Sequence, residues 1–292
     1  ALCLVWTRGM EPRVLEAFRE QIDLPHGILL VTGPTGSGKS TTLYSALAQM
    51  DSERLNVSTV EDPVEYNLEY CNQVQVNEKT GMTFAAALRS LLRQDPDIIM
   101  IGEIRDQETA RIAVQAALTG HLVLSTLHTN DAPSSVSRLV NIGVEPYLIA
   151  ASLNAILAQR LVRRICEHCK ESYPMPDAAR QYFERASIEV KELVHGKGCE
   201  KCRQSGYSGR AGLFELLIVD EKFRQLIHED PSVNSMRKAF VRSGWPTLFE
   251  DGLQKVKKGI TTIEEVLRVT EEVRLEMGEE PPVKSAAKPS AK

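Results

Sequence analysis

The sequence predicts an α/β fold on a mostly parallel sheet, and three observations carry that expectation. Short apolar runs alternate with longer helical patterns through the first two-thirds of the chain. The runs are apolar at successive positions, the mark of strands buried on both faces. A glycine-rich loop follows the first run and opens a helix, which is where phosphate-binding loops sit in such folds.

Taken in order, residues 1–25 read as the remnant of a linker or upstream domain. The first residue is Ala1 and not Met, so a fragment lacking upstream domains is expected. Residues 26–160 form the expected α/β core. Ile28-Leu29-Leu30-Val31-Thr32 reads as a strand and Ser40 to Met50 as a helix. Asn56-Val57-Ser58-Thr59-Val60 is a second strand, Phe84 to Leu92 a helix, and Asp97-Ile98-Ile99-Met100-Ile101 a third strand. Asp106 to Leu118 is a helix with Asp106 as its N-cap, and Leu122 to Thr126 a fourth strand. After about residue 160 the pattern changes. Residues 161–210 hold two Cys-x-x-Cys pairs around a polar, partly helical segment. Residues 211–275 read as a helical subdomain, one helix opened by the capping-box spacing Thr262-Ile263-Glu264-Glu265. Residues 276–292 are rich in Pro, Ala, Ser, Lys and Glu and read as a disordered tail.

Hydrophobic residues make up 42% of the 292-residue chain and charged residues 25%, ordinary for a soluble globular protein. A net charge of −4 argues against a general nucleic-acid binder. Two basic runs, Arg160-Leu161-Val162-Arg163-Arg164 and Lys255-Val256-Lys257-Lys258, read as solvated or subunit-facing patches. No stretch approaches the roughly 18 apolar residues that cross a bilayer. Ala1 to Trp6 is too short for a signal peptide, and Arg8 follows the apolar residues instead of preceding them. A reducing cytosol is therefore the expected setting.

Gly33-Pro34-Thr35-Gly36-Ser37-Gly38-Lys39-Ser40 matches G-x-x-x-x-G-K-S between a strand and a helix. Glycines at 33, 36 and 38 let backbone N–H groups turn inward on phosphate oxygens, and the helix N-terminus adds positive potential. Lys39 can reach the β- and γ-phosphates of ATP, and the Ser40 hydroxyl can complete a Mg²⁺ shell. Hydrolysis also needs acidic groups to hold the metal and orient water. Val60-Glu61-Asp62-Pro63-Val64-Glu65 and Gly102-Glu103-Ile104-Arg105-Asp106 follow neighbouring strands, where α/β sheets bind ligands. His128, in Ser125-Thr126-Leu127-His128-Thr129-Asn130, stands where a strand end can sense the γ-phosphate; His121 is the weaker candidate.

Cys166-x-x-Cys169 and Cys199-x-x-Cys202, with residues 170–198 between them, can offer four thiolates to one tetrahedral ion. Four protein ligands leave no open position, so a Zn²⁺ here would be structural. Redox disulfides or buried thiols are the competing reading. Cys3 and Cys71 are unpaired and read as structural.

With these residues in place, the chain resembles the ATPase family that powers type II secretion and type IV pilus assembly. The likeness runs from about Gly9 to Thr270. It rests on His26-Gly27-Ile28 leading into Thr32–Thr42, on Glu61-Asp62-Pro63-Val64-Glu65, Arg93-Gln94-Asp95-Pro96-Asp97 and Gly102-Glu103-Ile104-Arg105-Asp106, and on Thr119-Gly120-His121 with Ser125–Asn130. The family calls four of these motifs Walker A, Asp box, Walker B and His box. The resemblance implies a RecA-like P-loop core with a four-cysteine zinc module and a C-terminal helical subdomain. It adds Thr41 to the nucleotide-binding set. It gives Glu61 the attacking water, Glu103 the Mg²⁺ shell and His128 the relay of the γ-phosphate state. Gly102 stands where an Asp commonly precedes that Glu, a departure the family shares. Arg89 and Arg93 match arginines that reach a neighbouring subunit's nucleotide, and Arg210 matches one near its base end.

The resemblance also implies a homo-hexameric ring with nucleotides between neighbouring domains. The ring would be cytoplasmic, joined to the inner membrane through platform and recruiting proteins, and would not bind nucleic acid. The four-cysteine module points to assembly instead of retraction. Two alternatives are a conjugative DNA-transfer ATPase, disfavoured by that module and the acidic balance, and a nucleotide-regulated scaffold, disfavoured by Glu61, Glu103 and His128.

Overall fold

The computed structural model describes residues 9–51 and 53–271; Ala1 to Trp6, Cys3 and the tail expected at 276–292 lie outside them. A first helix, α1 (Pro12–Ile22), starts on a proline whose fixed φ suits the first helical turn. It precedes β1 (Gly27–Thr32), α2 (Lys39–Leu47), β2 (Val57–Glu61), β3 (Asn72–Gln75), α3 (Phe84–Leu91), β4 (Ile98–Ile101), α4 (Gln107–Leu118) and β5 (Leu122–Leu127). Then come α5 (Pro133–Ile142), α6 (Pro146–Ser152) and a long strand, β6 (Leu153–Ile165). The sheet order is β3-β2-β4-β5-β1-β6-β9, where β9 is Tyr207–Ile218. Every pair is parallel except β6–β9.

Alternate residues of each central strand enter different cores, which is why the runs are apolar throughout. Ile28 and Leu30 of β1 pack with α3, α4, α5 and α6, through Leu88, Ala113, Val136 and Ile149. Leu29 and Val31 pack on the other face with Phe18 of α1 and Leu43, Tyr44 and Leu47 of α2. Side chains buried this fully contribute about 1.5–3 kcal/mol each. The predicted N-cap is present: the Asp106 carboxylate accepts from the Thr109 N–H at 2.8 Å.

β6 continues past the end of β1, still paired with β9, to Ile165 and leads into a two-stranded hairpin of β7 (Lys170–Pro174) and β8 (Glu192–Gly196), with α7 (Asp177–Arg185) between them. The C-terminal helices are α8 (Glu221–Glu229), α9 (Val233–Ser243), α10 (Leu248–Lys257) and α11 (Ile263–Val269). A third core joins Phe183 and Leu193 to Phe249, Leu253 and Val266. β6 crosses the expected boundary at 160 and β9 that at 210. The segment read as wholly helical after the cysteines therefore begins with a sheet strand.

Candidate functional site

The chain leaves β1 at Thr32, turns through Gly33 to Gly38, and enters α2 at Lys39. Gly33 has φ +147° and Gly38 φ +89°. A Cβ on Gly33 would lie 2.4 Å from the Gln159 carbonyl oxygen, and one on Gly38 2.8 Å from Gln159 Nε2. Backbone conformation and the wall formed by β6 both require glycine there. α2 begins with neither a capping side chain nor an acidic residue in its first turn. Its leading N–H groups and positive dipole end are left for an anion. Ser37 Oγ, in a residue only 3% exposed, has no hydrogen-bond partner among the described residues. That orphan hydroxyl fits a loop completed by a phosphate.

Lys39 Nζ donates to the Gly33 and Pro34 carbonyls at 2.9 and 3.1 Å. A third donor remains for a ligand oxygen. Burial pushes the Lys39 ammonium below the ordinary lysine range, the charge of Glu103 opposes this, and Arg160 adds to it. Glu103 lies just beyond β4. Burial raises its carboxyl pKa, but a hydrogen bond and charge from Arg105, then His128, outweigh burial and hold it below the usual carboxylate range. His128 Nε2 stands 3.5 Å from Glu103 Oε2. The next residue stitches this loop to β1, because the Thr129 N–H donates to Thr32 Oγ1 at 2.9 Å.

Glu61, the last residue of β2, is 4% exposed and accepts from Tyr44 Oη, Thr59 Oγ1 at 2.6 Å and Gln73 Nε2 at 3.0 Å. Burial, then the hydrogen bond to Glu61, pushes the Tyr44 hydroxyl above its ordinary range. Arg89 on α3 pairs with Glu108 of α4, and Arg93 Nη1 donates to the Arg89 carbonyl at 2.7 Å. Arg210 is exposed on β9, opposite Arg163 of β6. His121 Nδ1 bonds the Ala116 carbonyl at 2.9 Å, at the end of α4.

The four cysteines converge, their sulfurs all within 4.8 Å of one another. Cys166–Cys199, Cys169–Cys202 and Cys199–Cys202 are 3.9, 3.8 and 3.7 Å apart. A tetrahedral ion with ~2.3 Å metal–sulfur bonds sets its ligands ~3.8 Å apart, so the set fits one. The Gly198 and Cys199 N–H groups donate to Cys169 Sγ and Cys202 Sγ at 3.3 and 3.2 Å, which favours thiolates.

Residues 4–268 match the model of the type II/IV secretion system protein family. The chain belongs to that family. It is 52% identical over 264 residues to the type II secretion system ATPase E of Vibrio cholerae, covering 90% of this chain and 52% of that protein. It is 53% identical over 264 residues to the type IV pilus assembly ATPase PilB of Thermus thermophilus, covering 90% of this chain and 30% of that one. The chain thus spans about half the length of the curated type II secretion relatives it matches. Among solved structures it is similar to the pilus retraction motor PilT with bound ADP. That likeness has a TM-score of 0.68 and 31% identity, covering 90% of this chain and 66% of that one.

In this secretion-family fold, Lys39, Glu103 and His128 meet at the carboxyl ends of β1, β4 and β5. Glu61, Arg89, Arg93 and Arg210 have other partners or other positions within the chain. The basic runs are only partly solvated: Arg163, Lys257 and Lys258 are exposed, whereas Arg160 and Lys255 are buried. Arg160 is 7% exposed and donates to the Gln159 and Asn130 carbonyls at 3.1 and 2.5 Å. Arg163 binds Glu265, and buried Lys255 binds Asp251. The Thr262–Glu265 capping box is also absent. Thr262 makes no cap bond, and Glu265 instead accepts from Arg163 and Arg268. The capping box forms at Thr247–Glu250. Sequence reasoning missed Gln159, whose amide lies against the phosphate loop; the polar pair Gln159-Arg160 set between apolar residues was the available signal.

Proposed function

We propose that this chain is the ATP-hydrolysing core of a ring-forming secretion ATPase that drives pseudopilus or type IV pilus assembly. The meeting of Lys39, Glu103 and His128 around the uncapped start of α2 carries the reading. Loop amides from Gly33 to Thr41 would hold the phosphates, with Pro34, Thr35 and Gly36 at the mouth and Lys39 on the β- and γ-oxygens. Ser40 and Glu103 would hold Mg²⁺, which supplies charge neutralisation across the transferred phosphoryl group. Glu103 would orient the attacking water, and His128, hydrogen-bonded to it, would pass the γ-phosphate state to the Thr129–Ser135 segment. Glu61 has three donors on its carboxylate already and one acceptor site on Oε2 left for a water. Arg89 and Arg93 lie exposed beside α4 and would complete a neighbour's site in a homo-hexamer, with Arg210 toward the base.

The relatives carry both type II secretion and pilus assembly names, and the proposal covers both. Such a ring would work at the cytoplasmic side of the inner membrane through platform and recruiting proteins. Among the described residues no helix is long and apolar enough to cross a membrane. The four thiolates would hold one Zn²⁺ as a structural ion. Steady-state phosphate release by the assembled protein tests the reading. Lys39→Ala should abolish MgATP binding and turnover, and Glu103→Gln should keep binding but lose turnover by 10²-fold or more, roughly the value of a positioned acid–base group. Wild-type turnover in either variant contradicts the assignment.

A further inference from the structure

We propose that Gln159 of β6 is a positioning residue for the phosphate loop, holding the Ser37–Gly38 peptide in the orientation that binds nucleotide. The inference rests on reading Gly33–Ser40 as a nucleotide cradle. β6 runs parallel to β1 with Ala158 level with Thr32, so Gln159 stands beside the point where β1 turns into the loop. Its residue is 0% exposed and both ends of its amide are engaged. Nε2 donates to the Ser37 carbonyl at 2.7 Å, and Oε1 accepts from Thr42 Oγ1 at 2.7 Å. The partners fix which end is which. A carbonyl oxygen can only accept, so the amide nitrogen must face Ser37, and the Thr42 hydroxyl is left to donate.

The consequence follows from peptide geometry. In a trans peptide the C=O and N–H point in opposite directions. Pinning the Ser37 carbonyl against β6 turns the Gly38 N–H away from the sheet and toward the loop's open side. The Thr42 bond ties the first turn of α2 to the same amide, so loop end and helix start are held as one piece. The pinning also accounts for the space: Gly38 has no room for a Cβ because the Gln159 amide occupies it. An amide is needed at 159. A carboxylate would oppose the Ser37 carbonyl, and an apolar chain would leave it unbonded. A cradle ordered in advance spares the ligand the ordering cost.

The test is titration of the whole chain with a fluorescent ADP analogue and Mg²⁺, below the thermal midpoint of every variant. The wild type should bind. Gln159→Met and Gln159→Glu should weaken binding on the order of tenfold, the equivalent of one lost hydrogen bond. Thr42→Val should weaken it less, and adding it to Gln159→Met should weaken binding no further, since the cradle is already released. A purely structural Gln159 would lower the thermal midpoint and leave affinity unchanged. Wild-type affinity in Gln159→Met overturns the proposal; should that variant not fold, wild-type affinity in both Gln159→Glu and Thr42→Val does so. If the wild type binds and the variants match it, this inference alone falls. A wild type that binds no nucleotide overturns the nucleotide reading as well.

Discussion

At Gly38 two independent constraints meet in one residue. Its φ of +89° costs any other L-residue about 1–2 kcal/mol, and the Gln159 amide fills the space a methyl group would need. Gly38→Ala should therefore lose about 1–2 kcal/mol of stability in denaturant unfolding and lose nucleotide affinity with it. A variant that unfolds like the wild type and binds as well would mean the loop relaxes freely. This glycine was legible in sequence because phosphate loops are local: strand, turn and helix start lie within a few residues. Gln159 was not. Its partner Ser37 is 122 residues away, and only the β1–β6 register brings them together.

The elements are tied by buried carboxylates at helix starts. Glu215 of β9 is buried and accepts from the Ala132 N–H before α5 at 2.8 Å and the Leu248 N–H at the start of α10 at 3.0 Å. Burial pushes its carboxyl up to about 7 from 4.5, with the charge of Asp131 adding to it and the two N–H donors and Arg160 opposing. Between those values the folded chain holds a proton the unfolded chain has released, so stability falls as pH rises from about 4.5 to 7. Glu215→Gln should abolish that fall, measured as thermal midpoint between pH 5 and 8. It should also lose about 1–3 kcal/mol, because its NH₂ cannot accept the second N–H. An unchanged pH slope would show that another group carries it. The same glutamate hid β9 from sequence reading: a charge within Leu213-Phe214-Glu215-Leu216-Leu217 breaks the apolar run that marks a buried strand. In β6, Asn154, Gln159 and Arg160 had the same effect.

Across the whole molecule, β6 separates two chemistries. From Gln159 to Cys166 it covers about 23 Å of extended chain, so a metal held by the cysteines stands well away from the phosphate loop. Loss of that metal should leave the seven-stranded sheet intact and release the hairpin. Protein purified with zinc available should carry one ion per chain by elemental analysis. After chelation, amide exchange should speed up across residues 166–205, while β1, β4 and β5 keep their protection. Unchanged protection in the module, or no bound metal, would remove the zinc assignment.

The sequence by itself determined the parallel α/β core, the phosphate loop, the acidic and histidine motifs at the strand ends and the four-cysteine set. Each is written in neighbouring residues, by period, turn chemistry or ligand spacing. Only the tertiary structure decided which of those groups meet. Glu103 stands beside His128 and within reach of the Lys39 charge, while Glu61 is held by Tyr44, Thr59 and Gln73. Arg160 turns inward onto backbone carbonyls, Arg163 and Lys255 pair with Glu265 and Asp251, and Gln159 braces the loop. These outcomes depend on strand order and register, which bring together side chains far apart in the chain, and no local pattern encodes that distance.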